Sequence, residues 1–152
     1  AEAGHVEPGE MRLNDQGQLV VTGHSNGNFP AGRSRAAAVP DGLQLEDFQI
    51  ETDVLSWEPT GAFRNVMLMG RVRQIGFGTM DAYMALYHTG DRRLEIWRVT
   101  DEMSFVNLGN SPSFEAPTKG FRFIFTGRGN ELTAQVESLD GEVLVSTTAT
   151  DD

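Results

Sequence analysis

The stretch Phe121-Arg122-Phe123-Ile124-Phe125-Thr126 places a phenylalanine at every second position. Successive side chains of a β-strand point to opposite faces of its sheet, so these three rings would share one face. The same period of two recurs in Leu132-Thr133-Ala134-Gln135-Val136 and in Arg93-Leu94-Glu95-Ile96-Trp97. Such alternation predicts strands with one buried face, since an amphipathic helix would repeat its apolar residues every three or four positions.

Turn-forming sequences separate these segments at intervals of about eight to fifteen residues, which is typical of antiparallel β-sandwiches. Asp140-Gly141 is a strong signal for a two-residue hairpin turn. No segment favours a helix, because the short run Ala36-Ala37-Ala38 is stopped by Pro40. We therefore expect an all-β protein with strands near residues 18–23, 33–38, 46–56, 64–74, 81–88, 92–99, 103–108, 119–126, 131–138 and 142–149.

The composition of the chain limits its function classes. Its 152 residues predict a single domain over 1–152, with 1–17 as an extended N-terminal segment. Twenty-two acidic residues against 12 basic ones give a net charge of −10, which disfavours nucleic acid as a partner. No run of 18 apolar residues occurs, which excludes a helical membrane span. Cysteine is absent, which excludes disulfides and cysteine-ligated metals.

A second pattern concerns the order of the predicted strands. An arginine-ended strand is followed by a tyrosine-bearing strand and then by a leucine-x-aliphatic-aromatic-arginine strand. This order resembles the laminin-G-like and concanavalin-A-like jelly rolls of bacterial carbohydrate-binding modules. The resemblance implies a two-sheet antiparallel β-sandwich, but the fold type also hosts glycosidases and adhesive domains. It is carried by Leu45–Val54, Val66–Arg71, Asp81–Tyr87, Arg93–Val99, Phe121–Gly127 and Leu132–Val136, within roughly residues 45–150.

Two features bear on location and assembly. The small, polar start Ala1-Glu2-Ala3-Gly4 is typical of a mature exported protein, so we expect a secreted, extracellular or periplasmic location. Domains of the resembled family normally close with a further strand after a segment such as Val143–Ala149. Either the first residues take that place, or another chain supplies it, or it was removed. An open sheet edge would invite strand addition, so assembly with itself or a neighbouring domain is an alternative function.

The expected ligand site is the outer face of one sheet. Period two places Arg71 and Arg73 on one side of a strand, Tyr83 and Tyr87 on one side of the next, and Glu95 and Trp97 on one side of the third. If these sides coincide, aromatic rings and planar polar groups would suit a glycan, with the loop 74–81 beside it. The alternative is that Tyr83, Tyr87 and Trp97 are partly buried sandwich residues whose polar tips reach the edge.

Catalysis and metal binding are weaker hypotheses. Glu51-Thr52-Asp53 is similar to the start of the Glu-x-Asp-x-x-Glu run of family 16 glycosidases, but Ser56 replaces the third acid. A glycoside-modifying enzyme is therefore only the lower alternative. The resembled jelly rolls often hold one structural calcium through oxygen ligands. A solvated acidic surface is the alternative for the candidate ligands, which are Glu10, Asp41, Asp47, Asp151 and Asp152.

Overall fold

A computed structural model describes residues 10–22, 46–57, 65–74 and 78–152. The chain divides into two compact units, Ala1–Leu43 and Gln44–Asp152, and each is described by itself. All regular structure among the described residues is β-strand, which confirms the predicted all-β class. The strand expected near 33–38 lies outside the described residues. The expectation of one domain over 1–152 stays a prediction.

The described part of the N-terminal unit is an antiparallel hairpin. Strand β1 (Glu10–Leu13) pairs with β2 (Leu19–Thr22). Asn14 shapes the turn, because its side-chain Oδ1 accepts hydrogen bonds from the backbone N–H groups of Gln16 and Gln18. The sequence predicted a strand at the position of β2, whereas β1 falls in the segment expected to be merely extended.

The C-terminal unit is a sandwich of two four-stranded antiparallel sheets. The first sheet has the order β10-β9-β8-β3 and the second the order β4-β5-β6-β7. The strands are β3 (Phe48–Val54), β4 (Val66–Arg73), β5 (Asp81–His88), β6 (Arg93–Thr100), β7 (Ser104–Asn110), β8 (Phe121–Arg128), β9 (Glu131–Glu137) and β10 (Val143–Thr150). Strands β4 to β7 are neighbours in chain order in the second sheet, and β8 to β10 are neighbours in chain order in the first. The chain returns to the first sheet at β8, which pairs with β3. The jelly-roll connection expected from the resemblance stays a prediction.

The core lies between the two sheets and follows the alternation seen in the sequence. Phe121, Phe123 and Phe125 of β8 are fully buried, together with Leu94 and Ile96 of β6. Burying a side chain of this size stabilises the fold by about 1.5–3 kcal/mol. The three phenylalanines share the inner face of the first sheet, as their spacing predicted.

Phe48 at the start of β3 fits into a notch that glycines leave open. A Cβ atom on Gly70 of β4 would lie 2.2 Å from the Phe48 ring, and one on Gly127 of β8 would lie 2.4 Å from it. The same ring packs edge-on against Phe125 at 5.1 Å between centroids. Phe48 therefore joins the two sheets at this end of the sandwich, and the two glycines are required for its close approach.

The regular pairing of β4 with β5 breaks just after Gly70. A register shift lies between Gly70 and Arg73, and Arg71 has a φ of 50°. Left-handed backbone is uncommon for arginine and is found where contacts hold it in place. Because a bulge changes which face the next side chain takes, it redirects Arg71 relative to the methionines before it.

Candidate functional site

The second sheet separates the residues that were expected to form one ligand platform. Tyr83 and Tyr87 of β5 point toward the core between the sheets, and Tyr87 is only 2% exposed. Glu95 and Trp97 of β6 lie on the opposite, outer face, because Leu94 and Ile96 take the inner one. The expectation that these four side chains share one face is therefore wrong.

The register between β5 and β6 explains this separation. Tyr83 lies opposite Arg98, and Trp97 lies opposite Met84. Directly paired residues of an antiparallel ladder point to the same face, so the tyrosines share a face with Arg98 and not with Trp97. The alternative interpretation, that Tyr83 and Tyr87 are sandwich residues with polar tips at its edge, is the one that the geometry supports.

Arg71 also points inward, where it joins the ends of several strands. Its Nε donates to the carbonyl of Glu46 at 2.6 Å, and its Nη2 donates to the carbonyl of Gly129. The guanidinium lies 5.8 Å from the Phe48 ring centroid and 5.5 Å from that of Tyr83. The guanidinium of Arg71 therefore binds groups of the protein itself and does not lie on the outer face of the sheet. Arg73 is exposed at the end of β4, where it pairs with Asp81 in the ladder.

The outer face of the second sheet presents a chain of polar contacts around Glu95. The Nε1 of Trp97 donates to Glu95 Oε2 at 2.8 Å, and the Nε of Arg93 donates to Glu95 Oε1 at 2.8 Å. Arg93 also forms an ion pair of 3.0 Å with Asp91. Glu95 is only 3% exposed, and the hydrogen bonds from Arg93 and Trp97 compensate its carboxylate for the loss of water. The indole of Trp97 is consequently fixed in orientation.

Two exposed amides flank this aromatic residue. Asn107 lies opposite Trp97, and Asn110 lies opposite Glu95, on the edge strand β7. A spacing of three residues would normally put them on different faces, but Leu108 forms a bulge between them. The Nδ2 of Asn107 donates to the Oδ1 of Asn110 at 2.9 Å, so both amides meet on the outer face. Gly109 inside the strand is a weak signal for a bulge that the sequence analysis did not use, and both asparagines escaped prediction.

An apolar cluster continues the same outer face. Met84, Leu86 and Val99 are buried there, with Met69 and Trp97 packed against them. We use the name Trp97 face for Trp97 with the polar groups beside it: Asp91, Arg93, Glu95, Asn107 and Asn110. It combines a half-buried indole with amides, a guanidinium and carboxylates.

One group among the described residues has the spacing of a metal site. Ligand atoms of His88, Asp91 and Glu95 all lie within 4.8 Å of one another. The guanidinium of Arg93 bridges Asp91 and Glu95, and Trp97 takes the other oxygen of Glu95. The backbone N–H of Asp91 donates to His88 Nδ1 at 3.0 Å. These three side chains could bind a divalent cation only if the Arg93 guanidinium moved away from Asp91 and Glu95.

The carboxylates expected to bind calcium are arranged differently. Asp47 and Asp152 accept hydrogen bonds from Gly129 N–H and the Asn130 side chain, respectively, at the β8–β9 turn. Asp151 accepts from the Tyr83 hydroxyl and from Arg98, each at 2.6 Å. Glu10 opens β1 of the other unit, and Asp41 lies outside the described residues. Two of the five acids thus accept hydrogen bonds at one turn, the Asp151 carboxylate is held by residues of the other sheet, and each of the three has a protein donor.

The contacts of Asp151 set its ionisation. Burial raises the pKa of the Asp151 carboxyl, but the hydrogen bonds from Tyr83 and Arg98 and the Arg98 charge outweigh it and lower the pKa below 3.8. Burial and donation to Asp151 raise the pKa of the Tyr83 phenol above 10.0. Asp151 and Tyr83 are therefore an anion and its neutral donor at neutral pH.

Glu51 and Asp53, the acids compared with a glycosidase motif, lie exposed on β3. Arg122 on the neighbouring strand lies 3.4 Å from Glu51 and 2.7 Å from Asp53. The hydrogen bond from Arg122, supported by its positive charge, lowers the pKa of the Asp53 carboxyl against the opposing effect of burial. A carboxyl held ionised in this way is a poor proton donor, and the general-acid position of the compared motif is occupied by Ser56.

Comparison with family models, with curated proteins and with solved structures returns no match. The site is therefore interpreted from its own residues. None of the described residues belongs to a helix long and apolar enough to cross a membrane.

Proposed function

We propose that this protein is a non-catalytic, lectin-like module that binds carbohydrate on the Trp97 face. The observation that carries the proposal is the fixed indole of Trp97, held by the 2.8 Å hydrogen bond from its Nε1 to Glu95. An aromatic ring that is already ordered loses little conformational entropy when a sugar ring stacks on it. We propose that the protein is exported, as the sequence predicts.

The groups around the indole suit the rest of a sugar. Exposed Asn107 and Asn110 each offer an amide donor and an amide acceptor, which vicinal hydroxyl groups can engage. Neighbouring Arg93 fixes Glu95 and Asp91 in place through its ion pairs. The proposed recognition thus uses one stacking surface and a small number of oriented polar groups, as ligand sites generally do.

The charge of this face favours a neutral glycan. The one guanidinium of Arg93 is shared by two carboxylates, those of Asp91 and Glu95. Sulfated or uronic-acid sugars would bring further negative charge to this face and to a chain of net charge −10. We therefore expect neutral hexoses rather than acidic polysaccharides.

A glycan array probed with the native protein and with Trp97→Ala tests the proposal. Native protein is expected to bind neutral glycans, and the variant to lose at least about tenfold in affinity because the stacking surface is gone. Gln49→Ala, a matched change on the exposed face of the other sheet, is expected to leave binding unchanged. Equal binding by Trp97→Ala, with its fold intact, would contradict a site on this face.

A second proposal is that the chain is a structural or adhesive subunit. The edge strand β10 supports it, since it contains no charged residue or proline and pairs with β9 in unbroken register from Val145 to Thr150. Sedimentation of large assemblies at micromolar concentration would favour this function. A monomer that binds glycans would favour the lectin-like one.

The two remaining hypotheses have less support. A glycoside-modifying enzyme of the compared type would need a protonated acid at the third position of its motif, where this chain has Ser56. Structural calcium stays a prediction for Asp47, Asp151 and Asp152. Because a ligand that binds only the folded state raises its stability, an increase in melting temperature with calcium, reversed by chelation, would support that site.

A further inference from the structure

We propose that β10 is an acceptor edge for an extended segment of a partner protein, uncharged in its centre and basic at its ends. This binding mode is β-strand addition, in which backbone hydrogen bonds give the affinity. It is independent of the Trp97 face, which lies on the other sheet. It is supported by the four edge strands of the sandwich, by the direction of the backbone groups in β10 and by the charges beside that strand.

Among the strands that the structure describes, each sheet has two edges, and three of the four are blunted. β3 carries Glu51 and Asp53, with Arg122 bound to both. β4 contains the bulge at Arg71. β7 is uncharged but is interrupted by the bulge at Leu108. Charges and bulges are the usual means by which natural edges avoid pairing with another strand.

β10 lacks these protections over most of its length. It pairs with β9 in unbroken register from Val145 to Thr150. The strand Val143–Thr150 contains only valine, leucine, serine, threonine and alanine, which include the residues that favour extended structure. A regular, uncharged edge of this kind is a template for one more strand.

The free backbone groups of this edge can be assigned. The N–H of Asp151 donates to the carbonyl of Asn130 at 3.0 Å, so residue 151 points its backbone toward β9. Backbone direction alternates along an antiparallel strand. Ser146, Thr148 and Thr150 therefore direct their N–H and C=O groups away from β9. At Thr148 the edge is approached by β7, since a Cβ atom on Gly109 would lie 3.6 Å from the Thr148 carbonyl oxygen. The outward N–H and C=O groups are the ones that an added strand would pair with.

The charges beside β10 indicate the partner. Exposed Asp140 and Glu142 precede the strand and exposed Asp152 follows it, whereas Asp151 is already paired with Arg98. A second copy pairing antiparallel would bring Glu142 of one chain toward Asp152 of the other, and the two chains would each carry −10. Like charges so placed are destabilising, whereas lysine or arginine at both ends of a foreign strand would complement them.

The probe is a fluorescein-labelled peptide of alternating valine and threonine with lysines at both ends, measured by fluorescence polarisation. Ser146→Pro removes one outward N–H and leaves the β9 side of the ladder intact, so the peptide affinity is expected to fall about tenfold. Ser146→Ala, which keeps that N–H, is the matched control and is expected to bind as the native protein does. Thr150→Pro gives a second outward position should Ser146→Pro unfold.

Each outcome decides the proposal. Weaker binding by both proline variants, unchanged binding by Ser146→Ala, and weaker binding of the same peptide with glutamates at its ends would support it. Equal binding by folded Ser146→Pro and the native protein would overturn it. Reversible dimerisation of the native protein that Ser146→Pro abolishes would also overturn it, in favour of a second copy as the occupant.

Discussion

Trp97 donates its indole N–H to Oε2 of Glu95 at 2.8 Å, and Glu95 is almost fully buried although it is charged. A buried carboxylate is tolerated only where donors compensate it, and here Arg93 takes the second oxygen. The contact thus stabilises the fold and orders the Trp97 face. It holds the indole in place and fixes the guanidinium beside it.

Glu95→Ala is therefore expected to reduce stability by about 2 kcal/mol, because Trp97 and Arg93 both lose their acceptor. Glu95→Gln keeps one acceptor oxygen and is expected to cost about half as much. Urea unfolding measures both changes. A loss below about 0.5 kcal/mol for Glu95→Ala would mean that the buried contact contributes little.

Gly70→Ala is expected to destabilise the sandwich by about 1–3 kcal/mol, since its Cβ would overlap the Phe48 ring at 2.2 Å. Combining Gly70→Ala with Phe48→Leu tests the cause, because a smaller side chain at 48 should relieve part of the overlap. Thermal unfolding of the two single variants and the double variant gives the coupling. Purely additive losses would show that Phe48 is not what makes glycine necessary.

The lowered pKa of Asp151 predicts that the folded protein loses stability in acid. Its pKa is lowered in the folded state, so its contribution is fully present above the unfolded pKa of about 4 and is lost as the pH falls through the folded value. Asp151→Asn is expected to cost about 1 kcal/mol at neutral pH, a discounted figure because the Arg98 side chain is 41% exposed. The difference from the native protein should shrink below about pH 4.

Asp152→Asn is the control for that measurement, because it removes a charge without touching Tyr83 or Arg98. Urea titrations between neutral and acidic pH compare the two variants with the native protein. If the cost of Asp151→Asn stayed constant through the acid range, the contacts of Tyr83 and Arg98 would not favour the charged form.

Asp53 is expected to titrate below its ordinary pKa of 3.8, because Arg122 donates to it at 2.7 Å. Replacing Arg122 by glutamine should bring the pKa of Asp53 back up, since both the hydrogen bond and the positive charge are lost. Carboxyl chemical shifts followed by NMR report this directly. A pKa of Asp53 above its ordinary value in the native protein would mean that the contact with Arg122 does not stabilise the carboxylate.

The sequence was sufficient to predict the strands and the buried face of β8, because alternation with period two is a local property. Phe121, Phe123 and Phe125 fill the core as expected. The faces of the expected ligand residues could not be predicted in the same way, since alternation within one strand does not say which of its two faces turns inward. Tyr83 and Trp97 therefore fell on opposite faces of one sheet.

Bulges account for the remaining errors. Arg71 turns inward after the irregularity that follows Gly70, and Leu108 brings Asn107 and Asn110 onto one face. A bulge is set by tertiary pairing between strands, and the neighbouring glycines Gly70 and Gly109 are only a weak local signal that does not identify the bulged residue. For this reason Asn107 and Asn110 could be recognised as neighbours of Trp97 only from the folded structure.

The central claim is that the Trp97 face binds a neutral glycan, and a ¹H–¹⁵N NMR titration with a neutral oligosaccharide selected on the array tests it most directly. We expect saturable shifts of the Trp97 indole N–H and of the Asn107 and Asn110 side-chain amides, with the Trp57 indole signal, whose N–H donates to the carbonyl of Pro117, unchanged. Shifts that cluster elsewhere, while these three groups stay still, would contradict the account.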